Sequence, residues 1–316
     1  MNVYPLIMAP SFRHGPETPW GGHALKELFG KNAPDEITGE SLEVSALPGH
    51  ESRIANGEYA GKTLRDLLPL WGKQLTGADG NGFPLLLKLL DTRQSLSVQV
   101  HPDDSYAFSH EGKPGKSEAW YILDAAPGAE LVYGIDTRGR SLRSVLDAGK
   151  LESSLCRTEV HTGDVFYIPA GTVHALGSGI RCYEIQQASD ITYRLWDWGR
   201  VGKDGKPRQL HIDQAVSVSK TGRVPRQTGK TEELPGGRRT LLVSDPHFLL
   251  YAYDLDGRLS LPAGKMQFLT ATAKGCVLCW ESHREALLPW QSAVLPAALP
   301  DITVEGSGRI LVSTAM

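Results

Sequence analysis

Apolar and polar side chains alternate with a period of two through most of this 316-residue chain. The clearest runs are SLEVSAL, LSVQV, EAWYIL, AELVYGI, DVFYIPA, RCYEIQQ and ITYRLWDW, followed further on by FLLYAYDL and MQFLTATA. Turn-forming clusters such as LPGHE, IANGEYAG, TGADGNGFP, HEGKPGK and SDPH separate them. Many short strands with regular turn punctuation predict a mainly β fold, a sandwich or jelly roll. Helical periodicity is confined to three places. TLRDLLPLWGKQL has Thr63 as N-cap and Asp66 at the capping-box position, and SLRSVLDAG (from Ser141) and HIDQAVSVS (about 212–219) are shorter. The polar, basic, Gly- and Pro-containing stretch SKTGRVPRQTGKTEELPGGRR reads as a linker. It divides an expected larger unit, 1–225, from a smaller C-terminal β lobe, 226–316.

Some residues break the alternation in ways a plain core does not need. Gln99 and His101 stand two apart and so share a strand face, with Val98 and Val100 opposite. In GDVFYIPAGTVHALGSG, a strand runs into a tight turn at PAGT, and His174 is the first inward residue of the next strand. Arg194 sits among aromatic and apolar neighbours, where a guanidinium needs an anionic partner. Lys88 interrupts LLLKLL, where a snorkelling surface lysine is the plain alternative. Glu184 in RCYEIQQ is equally well a half-exposed strand carboxylate or a proton-transfer group. CVLC (Cys276 to Cys279) lacks a second pair, and alternation turns its cysteines to opposite faces, so two small buried hydrophobes are the better reading.

The spacing from Gly163 through Pro169 and Gly171 to His174 resembles the second motif of the cupins, whose jelly-roll barrels use that histidine as a metal ligand. Cupins take their other ligands from a histidine pair and a glutamate on earlier strands, which the resemblance places at Gln99, His101 and Glu118. The glutamine and the long interval from His101 to Glu118 resemble one subgroup, the type I mannose-6-phosphate isomerases. So do PWGGHAL, DEITGESLEVSALP, ANGEYAGKTLRDLL, FPLLLKLLDTRQSLSVQVHPDD, KSEAWYIL and EIQQASDITYRLWDWGR. The likeness covers roughly residues 5 to 220 and is weak beyond. WDWGR departs from the tyrosine-rich form usual in the short bacterial members.

The resemblance implies a cupin jelly-roll barrel carrying one Zn²⁺ on Gln99, His101, Glu118 and His174. Two imidazoles, a carboxylate and an amide oxygen are a mixed N/O set suited to zinc with positions left open. Alone, each of these residues has a bland structural reading; together, the metal reading prevails. The implied activity is interconversion of mannose 6-phosphate and fructose 6-phosphate through an enediolate. Arg194, Glu184 and Asp190 are then catalytic, Lys88 and Ser97 lie on the phosphate side, and Lys116 stands at the zinc rim. A neutral glutamine in place of a second carboxylate preserves the site's positive charge. The rival readings are a metal-keeping cupin that binds sugar phosphates without turnover and an iron-dependent cupin oxygenase.

Bulk properties fit a small-molecule enzyme. Lys plus Arg is 33 against 36 Asp plus Glu, a net charge of -3, so nucleic acid and membrane surfaces are not expected partners. Four scattered cysteines and an N-terminus unlike a signal peptide point to the cytoplasm. A monomer or weak homodimer is expected.

Overall fold

The run FPLLLKLL forms part of the strand Leu85–Thr92, which is buried along its whole length. Its two faces explain the architecture. Leu85, Leu87 and Leu89 enter a core with Phe248, Leu250, Phe268, Val294 and Leu311 from the later part of the chain. Leu90 enters a different core with Trp120, Leu131, Phe166 and Ile180, and Leu86 and Lys88 on that face line a cavity. A strand apolar on both faces needs cover on both. The result, in a computed structural model that describes residues 3–34, 37–79, 82–201, 205–227 and 229–316, is a three-layered β protein. Parts of the quoted segments (Asp35, Glu36, Gly80, Asn81 and Thr228 of the linker) lie outside the described residues.

The middle layer is a six-stranded sheet in the order Val165–Ile168, Glu118–Ala125, Ile180–Gln187, Leu85–Thr92, Thr38–Val44, Ser11–His14. Facing it is a second sheet, ordered Tyr193–Trp196, Val98–Val100, His174–Ala175, Glu130–Ile135, Gly222–Arg223, with Leu155–Glu159 also paired to Glu130–Ile135. These two antiparallel sheets enclose one core and form the cupin barrel. The second sheet's outer face, with Val98, Val100 and Ala175, is covered by Leu142, Val145 and Ala215 from the helices Leu142–Asp147 and Ile212–Val218.

The third layer is a ten-stranded sheet built mostly after residue 230. Its spine is the pair Phe248–Leu261 and Ile302–Ala315, in register along fourteen residues each. The first strand of the chain, Leu6–Ala9, joins this sheet antiparallel to Ser292–Leu295. In Cys276–Trp280 burial alternates, with Cys276 buried and Cys279 half-buried, as alternation predicts.

The segment from Thr63 is capped as expected: the Thr63 hydroxyl accepts from the Asp66 amide, and the Asp66 carboxylate accepts from the Thr63 amide. It is two helices rather than one, Leu64–Trp71 and Lys73–Thr76, because Gly72 at φ 44° stops the first. A further helix, Asp104–Glu111, falls outside the three legible in the sequence, with the Asp103 carboxylate accepting from the Tyr106 amide. At PAGT, Gly171 has φ 91°, and a Cβ there would meet the Val218 carbonyl at 2.9 Å, so only glycine fits. Its amide donates to the His101 carbonyl (2.8 Å), tying the turn that precedes His174 to the other histidine. Among the described residues no helix is long and apolar enough to cross a membrane.

Candidate metal centre and active-site cavity

Strand register brings the proposed ligands together. His174 lies directly opposite Gln99, and Glu118 opens the neighbouring strand on the facing sheet. His101 and His174 are buried with ring centroids 4.8 Å apart. His101 Nδ1 donates to the Ile191 carbonyl at 2.8 Å and His174 Nδ1 to the Thr172 carbonyl at 2.9 Å. A carbonyl only accepts, so both Nδ1 atoms carry hydrogen and both Nε2 atoms are turned inward. They face Glu118, whose Oε1 is 3.2 Å from His174 Nε2 and whose Oε2 is 3.5 Å from His101 Nε2. Neither carboxylate oxygen nor His101 Nε2 makes a hydrogen bond.

Burial and the Lys116 ammonium push the His101 pKa down to about 3. Burial opposes ionisation of Glu118, but Lys116, at 2.9 Å, and the two imidazoles outweigh it and hold that carboxyl well below its usual range. Lone pairs of His101 and Glu118 thus converge in a space closed to water, an arrangement costly by itself and resolved by a cation. The ligand atoms of the three residues lie within 4.8 Å of one another. Gln99 adds a fourth donor, its amide end 3.3 Å from His174 Nε2. Half a turn of that amide exchanges oxygen for nitrogen without changing its shape. The donor set fits a divalent metal.

Beside this cluster lies a cavity of about 310 Å³, connected to it by Gln99 and Lys116, which line both. Glu184 stands on its wall, in register with Lys88 on one side and Trp120 on the other. Trp120 Nε1 donates to Glu184 Oε2 at 2.8 Å, and Lys88 Nζ is 3.4 Å from Oε1. Burial, reinforced by the nearby Glu118 charge, raises the Glu184 pKa despite Lys88 and Lys116. Lys88 also holds Glu40 Oε2 at 3.2 Å. Burial works against ionising Glu40, but Lys88 and Arg13 prevail and lower its pKa. The lysine out of place in LLLKLL is therefore matched by two carboxylates.

The other sequence-predicted residues also line this cavity. Ser97 is buried with its hydroxyl 3.2 Å from the Gln99 amide, and it accepts from the amide nitrogen once the oxygen is turned to the cluster. Arg194 follows from its register opposite Gln99, and its Nε is buried without a hydrogen bond. Its pKa is lowered by burial and by the Arg208 guanidinium. Asp190 stands half-exposed at the rim, ion-paired with Lys113 at 2.9 Å. Lining residues not singled out from the sequence include Arg13, Glu17, Glu40, Thr192, Arg208 and His211. Glu40 stands on the largely buried strand Thr38–Val44, whose sequence TGESLEV is mostly polar and holds a second carboxylate, so it did not stand out. Arg208 sits in an aperiodic loop and had no legible signal.

The family described as phosphomannose isomerase type I, catalytic domain, matches residues 14–121, a span that holds Gln99, His101 and Glu118. A Bacillus subtilis protein named putative mannose-6-phosphate isomerase YvyI is 37% identical over 99% of both chains. The mannose-6-phosphate isomerase of Streptococcus mutans is 39% identical over 81% of each. The crystal structure of the mannose 6-phosphate isomerase from Bacillus subtilis superposes with a TM-score of 0.91 at 36% identity, covering 98% of this chain and 99% of that one. Likeness at this identity, along nearly the whole length, adds to a barrel whose buried donors meet beside a charged cavity: the chain belongs to the type I phosphomannose isomerase family.

Proposed function

We propose that the protein is an aldose–ketose isomerase that interconverts mannose 6-phosphate and fructose 6-phosphate, with one zinc ion per chain held by Gln99, His101, Glu118 and His174. The observation that carries this reading is the junction of two sites. A buried cluster of inward-facing donors opens, through Gln99 and Lys116, onto a cavity whose wall holds a carboxyl of raised pKa. The names of the whole-length relatives supply the substrate class, and they disfavour a cupin that binds without turnover. The two imidazoles, one carboxylate and one amide favour zinc.

When bound, the divalent metal supplies Lewis acidity toward the oxygens at C1 and C2 of the sugar. The rest falls to the chain. Isomerisation moves a proton between adjacent carbons, and Glu184 is suited to carry it, because burial brings its pKa toward the working range. Trp120 fixes Oε2, which leaves Oε1 to carry the proton. Lys88 and Glu40 set the charge around it. Arg194 supplies a guanidinium to the substrate's anionic oxygens, Ser97 orients the Gln99 amide, and Lys116 stabilises the Glu118 carboxylate. Asp190 is poised at the rim for the sugar hydroxyls. Leu86, Leu90, Leu96 and Trp20 supply apolar patches in an otherwise polar wall. Four free cysteines, none of them fully exposed, support a reducing cytoplasm.

The test is a coupled assay on mannose 6-phosphate before and after chelation, repeated without oxygen. Activity should vanish on chelation, return with zinc and be indifferent to oxygen. Turnover that survives complete metal removal would overturn the zinc assignment, and no turnover in the zinc-loaded protein would overturn the isomerase reading.

A further inference from the structure

Two of the cavity's cations are held by their charged ends: Lys88 by Glu40 and Glu184, and Lys116 by Glu118. Arg194 differs, because its Nε is buried without a hydrogen bond. The direction of its guanidinium therefore depends on how its backbone is held. That backbone stands in a weak place. The strand Tyr193–Trp196 is the edge of its sheet, and its pairing with Val98–Val100 slips between Arg194 and Trp196. An edge leaves outward peptide groups without a strand partner, and a slip in the ladder loosens the inner side.

His211 supplies what the missing strand would. Its backbone amide donates to the Arg194 carbonyl at 2.8 Å, and the Arg194 amide donates to its ring Nδ1 at 3.3 Å. One residue thus takes both the N–H and the C=O of Arg194. A backbone amide only donates, so Nδ1 carries a lone pair and the ring proton sits on Nε2, the reverse of the tautomer at His101 and His174. Burial and the Arg194 charge lower the His211 pKa, against an opposing pull from Glu111, which favours the neutral ring that can accept. His211 stands at the N-cap of the helix Ile212–Val218, yet its side chain makes no capping bond there. Its ring is committed to the strand instead. The helix is itself anchored, with Ala215 buried among Val98, Val100 and Tyr193, and His211 borders the same cavity as Arg194.

We propose that His211 is the positioning residue for Arg194, clamping both of its peptide groups where the sheet has no further strand and so aiming the guanidinium into the cavity. The part Arg194 plays in turnover rests on the isomerase reading; the clamp does not. The ring bond needs an acceptor at the position of Nδ1. The side-chain oxygen of asparagine can stand there, whereas a phenylalanine ring offers none.

Hydrogen exchange at the Arg194 amide tests the clamp, and steady-state kinetics of the zinc-loaded protein on mannose 6-phosphate test its use. His211→Phe keeps the bulk of the ring and removes the acceptor. The Arg194 amide should then exchange about tenfold faster or more. At full metal content kcat should fall by about tenfold or more, as misplacing an oriented group does, with a smaller change in KM. His211→Asn should restore both the exchange protection and most of kcat. His211→Ser makes a good helix cap but is too short to reach Arg194; it should behave like the phenylalanine variant, and it replaces that variant if the latter fails to fold. A kcat restored by serine, or not restored by asparagine, would overturn the clamp in favour of a helix-capping or space-filling role. In an Arg194→Ala background His211→Phe should lower kcat no further, and full additivity would show that His211 does not act through Arg194. Unchanged exchange at the Arg194 amide in the phenylalanine variant would overturn the clamp whatever the kinetics. If the wild-type protein turns over no mannose 6-phosphate, the isomerase reading fails and the exchange measurements alone decide the clamp.

Discussion

At the scale of single residues, burial gives ordinary side chains their chemistry. His174 and Arg194 are neighbours of Gln99 in the same sheet, yet one faces the donor cluster and the other the cavity. His174→Ala removes one of the three clustered ligands and should abolish metal binding, read by metal analysis after gel filtration. Arg194→Ala should keep the metal and lose turnover by about a hundredfold or more, the scale on which a group acting on developing charge contributes. A metal-replete first variant or a near-normal rate in the second would reassign these residues. His101 makes a pH prediction for the metal-free protein. Its folded pKa is near 3 against an ordinary 6.5, so between those values the unfolded chain takes up a proton that the folded chain refuses. Stability therefore falls as pH drops from about 6.5 toward 3. The lowered pKa values of Glu118 and Glu40 act in the same direction, below the usual carboxyl range. Thermal melts across that window in chelator should show a declining midpoint, with a shallower slope in His101→Gln; a flat midpoint would contradict the burial argument.

Among the elements, the strand Leu85–Thr92 does the most to position the site, because its two faces serve different layers. Leu87 belongs to the core shared with the C-terminal sheet, while Lys88, next along, faces the cavity. Leu87→Ala should cost about 2–5 kcal/mol in denaturant unfolding, as a cavity in a fully buried core does, yet leave metal content unchanged. Coupled loss of metal would mean that the layers are not separable in this way. The same alternation made much of the site legible in advance. Gln99 and His101 share a face because strands have period two, and His174 turns inward because Gly171 allows the tight turn before it. The short helix Asp104–Glu111 escaped because it has almost no apolar stripe, with Ala107 its one buried residue.

For the molecule as a whole, the question is how the barrel and the later sheet depend on each other. We propose that residues 1–225 carry the catalytic unit and 226–316 the smaller β lobe, with the strand Leu6–Ala9 acting as a strap from the first into the sheet of the second. Glu43 makes the same connection from the barrel side, held by Lys31 and by the Ser292 hydroxyl at 3.0 Å. Expressed alone, residues 1–225 would expose Leu85, Leu87, Leu89, Tyr183 and Ile185, which now pack against Phe248, Leu250 and Phe268. This fragment should aggregate or bind a hydrophobic dye, and it should regain native character when residues 226–316 are supplied in trans. A soluble, cooperatively folding fragment would show instead that the later sheet is dispensable.

The sequence alone determined the local matters: period-two strands, the capped helix at Thr63, the glycine turn before His174 and the pairing of Gln99 with His101, all set by interactions within a few residues. The proposed ligand quartet was legible through a family resemblance, Glu118 by that alone, while strand alternation put Gln99 and His101 on one face and one tight turn preceded His174. Only the tertiary structure decided that Lys88 is neutralised by two carboxylates, that Glu40 and Arg208 reach the cavity, and that the first strand completes the last sheet. These depend on which distant strands become neighbours, a choice made by burial of whole faces and by charge matching in a dry interior, and neither quantity is written in any short stretch of the chain.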